Sequence, residues 1–217
     1  MTRENLLALL RTRYTTKHYE AGRTIAPEDW RVLEESLRLA PTSVNGQYTR
    51  FYVAKSEHAK AEVTAAALDF NKPRVADCAG IVVFAVPRRP EEAHLQAVLA
   101  QEIADGRFGE TTDTEGLDAG RRHFTALNNT DERAFEAWTR AQSYLAMGFL
   151  LMTAAGLGID STCLEGMDFD ELDRRLGLRE EGFKSVCAVA LGYRAAEDAN
   201  ATRPKSRLPL NVVVREL

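Results

Sequence analysis

Apolar residues recur at helical spacing through most of the chain. Trp30, Leu33 and Leu37 follow this spacing and predict a helix over 25–40. Pro27 stands near the start of this helix, where the missing N–H of proline costs least. The same spacing predicts further helices over 4–12, 56–68, 91–105, 121–127 and 132–156.

A different pattern marks the predicted strands. The continuous apolar run over 80–86, closed by Pro87, is typical of a buried central strand. Shorter β-rich stretches predict strands over 50–54, 183–193 and 211–214. We therefore expect one α+β domain over residues 1–217, in which helices cover a sheet.

Local signals place a loop and one more helix. Residues 106–120 (GRFGETTDTEGLDAG) are polar and glycine-rich, so we expect a mobile loop or lid there. Asp168, with Glu171 three residues later, predicts the start of a helix. Gly177 predicts its end.

The longest predicted helix, 132–156, leads into an unusually apolar stretch. Residues 144–159 contain almost no polar side chains, but the stretch is too short and too interrupted by glycine to cross a membrane. A helix that is apolar on all sides lies in a core or at a subunit interface. We therefore expect a partner chain to cover part of it.

Composition and charge limit the partners and the compartment. The hydrophobic fraction is 45%, the charged fraction 28% and the net charge -4, which argues against nucleic acid as a partner. The first residues place a short apolar stretch before basic ones, the wrong order for a secretory signal. The 3 cysteines are far apart, without a C-x-x-C. We expect a cytoplasmic protein that binds no membrane.

The candidate chemistry lies at the two ends of the chain. Residues 13–17 (RYTTK) and 203–207 (RPKSR) both mix cationic side chains with hydroxyl groups, the combination that binds phosphate. If the fold brings the two segments together, they form an anion site, which we call the cradle. Alternatively, both segments are solvated termini.

Motifs of other chemistries are missing from the sequence. It contains no G-x-x-x-x-G-K-[ST], no G-x-G-x-x-G and no G-x-S-x-G. The 4 histidines lack the spacing of metal ligands, so we expect no metal site.

Six segments occur in a fixed order along nearly the whole chain. They are RYTTK at 13–17, LAPTSVNGQ at 39–47, Phe70-Asn71 with Arg74, QEIADGRF at 101–108, LGIDSTCLEGMD at 157–168 and EDANATRPKSRLP at 197–209. Together they resemble the FMN-dependent nitroreductase family, and most closely its branch of oxygen-insensitive NAD(P)H nitroreductases and dihydropteridine reductases.

The resemblance implies a fold and a shared site. The fold is a mostly antiparallel central sheet covered by helices, in an intertwined homodimer with a long apolar interface helix. FMN would lie between the subunits, and the segment 41–45 would come from the partner. The implied FMN-binding residues are Arg13, Tyr14, Thr15, Lys17, Pro41, Thr42, Ser43, Asn45, Asn71, Arg74, Glu165, Gly166, Lys205, Ser206 and Arg207. The implied residues on the substrate and NAD(P)H side are Lys17, Val44, Phe70, Arg107 and Phe124.

The implied activity is an NAD(P)H oxidoreductase. NADH or NADPH would pass hydride through flavin N5 to a small-molecule acceptor, a nitroaromatic or a quinone, in a ping-pong cycle. No residue is named as catalytic, because FMN carries the chemistry. Two alternatives remain open: a flavin carrier or sensor without turnover, and a flavin or ene reductase of the same fold. Tyr48-Thr49-Arg50 and Cys163 depart from the branch pattern.

Overall fold

The computed structural model describes residues 2–109 and 113–217. The helices are α1 (Arg3–Thr12), α2 (Pro27–Arg38), α3 (Glu57–Ala66), α4 (Lys72–Asp77), α5 (Glu92–Ala104), α6 (Thr114–Asn128), α7 (Glu132–Gly156), α8 (Phe169–Leu176) and α9 (Leu210–Val213). The strands are β1 (Arg50–Ala54), β2 (Gly80–Pro87), β3 (Asp160–Leu164) and β4 (Phe183–Gly192). One turn of 3-10 helix lies at Ser43–Asn45.

The four strands form one antiparallel sheet in the order β1-β2-β4-β3. Every residue of β2 is buried, so the prediction of a buried central strand over 80–86 is confirmed. Successive β2 side chains enter opposite sides of the sheet. Phe84 packs into the core formed with α2 and α7, whereas Val83 packs into the core formed with α3 and α8. Helices therefore cover both faces, and the α+β prediction is confirmed.

The long helix α7 has two apolar faces. Met147 and Leu150 are buried against the sheet, as an amphipathic helix requires. Leu145 and Phe149 lie on another face of the helix and are 50% and 46% exposed. Among residues 2–109 and 113–217, nothing covers the second apolar face. Within 2–109 and 113–217, no helix is long and apolar enough to cross a membrane.

The predicted start and end of helix α8 are confirmed. The Asp168 side chain accepts a hydrogen bond from the Glu171 N–H, which satisfies an otherwise unpaired donor at the helix start. Gly177 follows the helix in the left-handed conformation, with φ 66°.

Two sequence predictions were wrong. Within the loop predicted over 106–120, helix α6 begins at Thr114, because the Asp113 side chain caps it by accepting from Gly116 N at 2.9 Å. Residues 110–112 lie outside the described residues. The strand predicted over 211–214 is instead the single helical turn α9, which is fully exposed and has no neighbouring strand to pair with.

Two elements were missed. Helix α4 has only 6 residues, too few for a periodic pattern. Strand β3 reads Asp-Ser-Thr-Cys-Leu, which lacks a strand pattern; it is the last strand of the sheet and pairs with β4, and its Ser161 also bridges Thr15.

Candidate functional site

The two cationic ends of the chain meet in one pocket. Its volume is about 600 Å³, and it lies on the surface beside the end of α1. The predicted cofactor residues that line it are Arg13, Tyr14, Thr15, Lys205, Ser206 and Arg207. The cradle is therefore a geometric feature of the fold rather than two separate solvated ends.

A buried carboxylate holds the two segments together. Asp198 is 3% exposed and accepts hydrogen bonds from Tyr14 Oη at 2.9 Å and from Lys17 N at 3.2 Å. Asn200 adds a link, because its Nδ2 donates to Thr15 O at 2.9 Å. Burial and the hydrogen bond to Asp198 raise the pKa of Tyr14 to about 12, so its hydroxyl stays a donor at neutral pH.

Arg13 and Lys205 of the cradle have no anionic partner among the described residues. Arg13 Nε is buried and has no hydrogen-bond partner there. Lys205 Nζ donates to a backbone carbonyl, Leu10 O, at 2.6 Å. Burial lowers the pKa of Lys205, and the positive charges of Arg13 and Arg207 lower it further. Uncompensated cations with unsatisfied donors are what an anionic ligand would neutralise.

A second cationic patch adjoins the cradle. Burial lowers the pKa of Lys17, and the nearby charges of Arg74 and Arg203 add to this effect. Arg74 Nη1 donates to Asn71 Oδ1, and Asn71 Nδ2 donates to Gly166 O at 3.0 Å. The buried Asn71 side chain thus links the cation to the backbone of the segment after β3.

Gly166 has no room for a side chain. A Cβ atom there would lie 2.6 Å from Asn71 Nδ2 and 2.7 Å from the Phe70 ring. The glycine therefore allows the backbone to approach this loop closely. Next to it, the Glu165 carboxylate accepts from Tyr144 Oη on α7, which orients the Glu165 side chain.

The remaining predicted residues lie elsewhere in the chain. Val44, Asn45, Arg107 and Phe124 line a different pocket of about 720 Å³, beside α5 and α6. Pro41, Thr42 and Ser43 lead into the turn that carries Val44 and Asn45.

The two groups of residues line different pockets. Ser43 N donates to Gln142 Oε1 at 2.8 Å, whereas Glu165 contacts Tyr144. Residues two apart on an α-helix point about 160° away from each other, so Ser43 and Glu165 contact opposite sides of α7. The cradle pocket and the pocket with Val44 and Asn45 share no described lining residue, so the structure does not bring them together within one chain.

Some contributing residues could not be identified from the sequence. Asp198 and Glu102 stand within recognised segments, yet neither was assigned a role. His94 lies in no such segment, but its Nε2 is 2.7 Å from Gly46 O. For Asp198 and Glu102, the available signal was a carboxylate inside a segment that otherwise carries ligand-binding side chains.

Within the departure at 48–50, Tyr48 belongs to the core. Tyr48 is 4% exposed and packs against Phe135 and Trp138. Its hydroxyl lies 2.9 Å from Thr125 Oγ1. The aromatic ring at this position thus anchors α6 and α7 to the chain after the 41–47 turn.

Comparison with known proteins assigns the family. A model of the nitroreductase family matches residues 10–193. The chain belongs to the nitroreductase family, so the resemblance inferred from the six segments is confirmed. It is 34% identical over 215 residues to the oxygen-insensitive NAD(P)H nitroreductase of Enterobacter cloacae, covering 98% of this chain and 99% of that protein. It is also 34% identical over 209 residues to the major NAD(P)H-flavin oxidoreductase of Aliivibrio fischeri, covering 94% and 95%.

Solved structures show the same fold at lower identity. A protein from Exiguobacterium sibiricum, solved in complex with FMN, matches with a TM-score of 0.81 and 21% identity, covering 100% of this chain and 99% of that one. A nitroreductase family protein from Streptococcus pneumoniae matches with a TM-score of 0.76 and 20% identity, covering 97% and 99%. The chain thus has the nitroreductase-like fold.

Proposed function

We propose that this protein is an NAD(P)H-dependent oxidoreductase that uses FMN to reduce nitroaromatics or quinones. The observation that carries the proposal is the cradle, where cations and hydroxyl groups from both ends of the chain converge in one pocket. Family membership and the names of the relatives support the same reaction class. The cytoplasmic location expected from the sequence stays a prediction.

The residues present fit FMN. Its phosphate requires cationic and hydroxyl donors, which Arg13, Lys205, Arg207 and Ser206 supply around a pocket of about 600 Å³. That volume is within the usual range for small-molecule sites, about 300–1,000 Å³.

The second cationic patch would act on the flavin ring. When bound, FMN supplies the two-electron chemistry, accepting hydride from NADH or NADPH and passing electrons to the acceptor. Lys17 and Arg74 would stabilise negative charge that develops on the ring and so favour electron acceptance. A stabilisation of about 1.4 kcal/mol corresponds to ~30 mV for a two-electron couple.

The complete site requires a homodimer. Within this chain, Val44 and Asn45 line a different pocket from the cradle, so we assign the 41–45 segment to the cradle of the partner subunit. The exposed apolar face of α7, with Leu145 and Phe149, supplies an interface. The C-terminal segment supports the same arrangement, because all of residues 201–217 are exposed although Leu208 and Leu210 are large and apolar.

The purified protein is expected to be yellow and to bleach on reduction. An anaerobic absorbance spectrum, recorded before and after one equivalent of NADH or NADPH, tests the cofactor and its reduction together. A flavin band that bleaches within seconds supports the oxidoreductase. A band that neither nucleotide bleaches favours a flavin carrier, and no band after adding FMN contradicts the proposal.

FMN affinity is expected to fall at alkaline pH. Only the ammonium forms of Lys17 and Lys205 bind an anion, and their pKa values are lowered in the ligand-free protein. A bound anion raises these lysine pKa values again. FMN affinity is therefore highest below the lysine pKa of the ligand-free protein, and it is lost as the pH rises through the lysine pKa of the complex.

Titration of the apoprotein with FMN between about pH 7.5 and 9.5 measures this effect, above the second phosphate pKa of about 6. The Lys17→Arg/Lys205→Arg variant keeps both charges, since arginine is not deprotonated in this range. Its affinity is expected to vary less with pH than that of the wild type. If FMN affinity falls equally with pH in both proteins, deprotonation of the two lysines does not control FMN binding.

A further inference from the structure

The turn that carries Asn45 has an unusual backbone. Val44, Asn45 and Gln47 all have positive φ values, of 49°, 52° and 49°. This conformation is uncommon for residues other than glycine, and for a β-branched valine it is a genuine outlier. Strained backbone of this kind persists only where its surroundings hold it, and it occurs often at ligand sites.

Three side chains hold this turn in place. Gln142 of α7 accepts from Ser43 N at 2.8 Å, and His94 of α5 lies 2.7 Å from Gly46 O. Only the third, Glu102 of α5, contacts a side chain of the turn: its Oε1 accepts from Asn45 Nδ2 at 2.6 Å.

Glu102 is a buried carboxylate between two guanidinium groups. Its side chain is 6% exposed, its Oε2 accepts from Arg121, and Arg107 Nε lies 3.5 Å from its Oε1. A carboxylate can only accept hydrogen bonds, so it determines the orientation of the Asn45 amide. The NH2 group of Asn45 faces Glu102, and its Oδ1 is left for the pocket beside α5 and α6.

We propose that Glu102 is a positioning residue that makes Asn45 present an oxygen, not an NH2 group, to the shared flavin site. The inference rests on the proposed function, in which Asn45 contacts FMN bound to the partner subunit. FMN carries donors that an oxygen can accept from, at its ring N3–H and its ribityl hydroxyl groups. If the NH2 group of Asn45 faced the flavin instead, it could not accept a hydrogen bond from these donors.

Isosteric substitutions can reverse the amide, and the double variant conserves the charge. In Glu102→Gln, Arg121 still requires an acceptor, so the carbonyl of the new side chain faces Arg121 and its NH2 faces Asn45. The Asn45 amide must then turn, and its own NH2 group faces the pocket. In Asn45→Asp, two carboxylates meet. In the double variant Asn45→Asp/Glu102→Gln, the glutamine donates to the aspartate, and an oxygen again faces the pocket.

The experiment measures FMN affinity by fluorescence titration of the apoprotein, together with the thermal unfolding midpoint. Glu102→Gln is expected to weaken FMN binding about fivefold, as for one lost hydrogen bond, and Asn45→Asp more than tenfold. The double variant is expected to bind FMN within about twofold of the wild type, which a merely structural role for Glu102 does not predict.

His94→Gln is the matched control, because it loosens the same turn without touching Asn45. It is expected to lower the unfolding midpoint. Adding Glu102→Gln to the His94→Gln protein should still weaken FMN binding about fivefold. Wild-type affinity in Glu102→Gln, or a double variant no tighter than Asn45→Asp, would overturn the inference alone. Failure of the wild type to bind FMN would overturn the proposed function, and this inference with it.

Discussion

Replacing Arg13 and Lys205 together by alanine is expected to weaken FMN binding about a thousandfold. Hydrogen bonds to charged groups contribute roughly 1.5–3 kcal/mol each, so each single change is expected to cost about 10- to 100-fold. The structure explains why the effect is large: Arg13 Nε is buried without a partner among the described residues, and Lys205 donates to a backbone carbonyl. Titration of the apoprotein with FMN at fixed ionic strength measures the loss.

Riboflavin provides the control for this experiment, because it has the same ring without the phosphate. Its affinity is expected to change by less than about threefold, since the lost interactions are with the phosphate. Arg174→Ala is the matched protein control: this arginine pairs with Glu171 on the surface of α8. An equal loss for riboflavin and FMN would mean that the site has collapsed, and it would contradict a phosphate role for the cradle.

Placing a charge on the exposed face of α7 is expected to split the dimer. Phe149→Glu replaces an apolar side chain that is 46% exposed in the single chain. Burying an unpaired carboxylate at an interface costs several kcal/mol, so the monomer is expected to dominate at low micromolar concentration. Because the 41–45 segment would then be absent from the partner's cradle, FMN affinity is expected to fall more than tenfold.

Sedimentation velocity at low micromolar concentration measures this effect, with FMN titration on the same samples. Val32→Glu is the matched control: Val32 is 47% exposed, close to the value for Phe149, but it lies on α2. This variant is expected to remain dimeric and to bind FMN. A monomeric wild-type protein that binds FMN tightly would contradict both the dimer and the shared site.

Sequence patterns predicted those elements whose signal is local. The run over 80–86 identifies the central strand because a strand buried on both faces must be apolar throughout. Asp168 and Gly177 identify both ends of α8 because capping depends on groups within one turn.

Elements that depend on distant neighbours were predicted poorly. Residues 211–214 have β-rich composition, but a strand forms only where another strand offers hydrogen bonds, and none does so here. Strand β3 shows the opposite case, because its polar sequence becomes a strand by pairing with β4 at the sheet edge. Helix α6 begins inside a glycine-rich segment because the Asp113 cap offsets the poor helix propensity.

The same distinction applies to the site. By itself, the sequence determined the chemistry: cations and hydroxyl groups at 13–17 and 203–207, and a glycine at position 166. Only the tertiary structure decided that the two ends meet, that Asp198 joins them, and that Val44 and Asn45 line a different pocket. The physical reason is that a side chain's charge and donors belong to the residue. Its partners, in contrast, depend on strand pairing and helix packing between residues far apart in the chain.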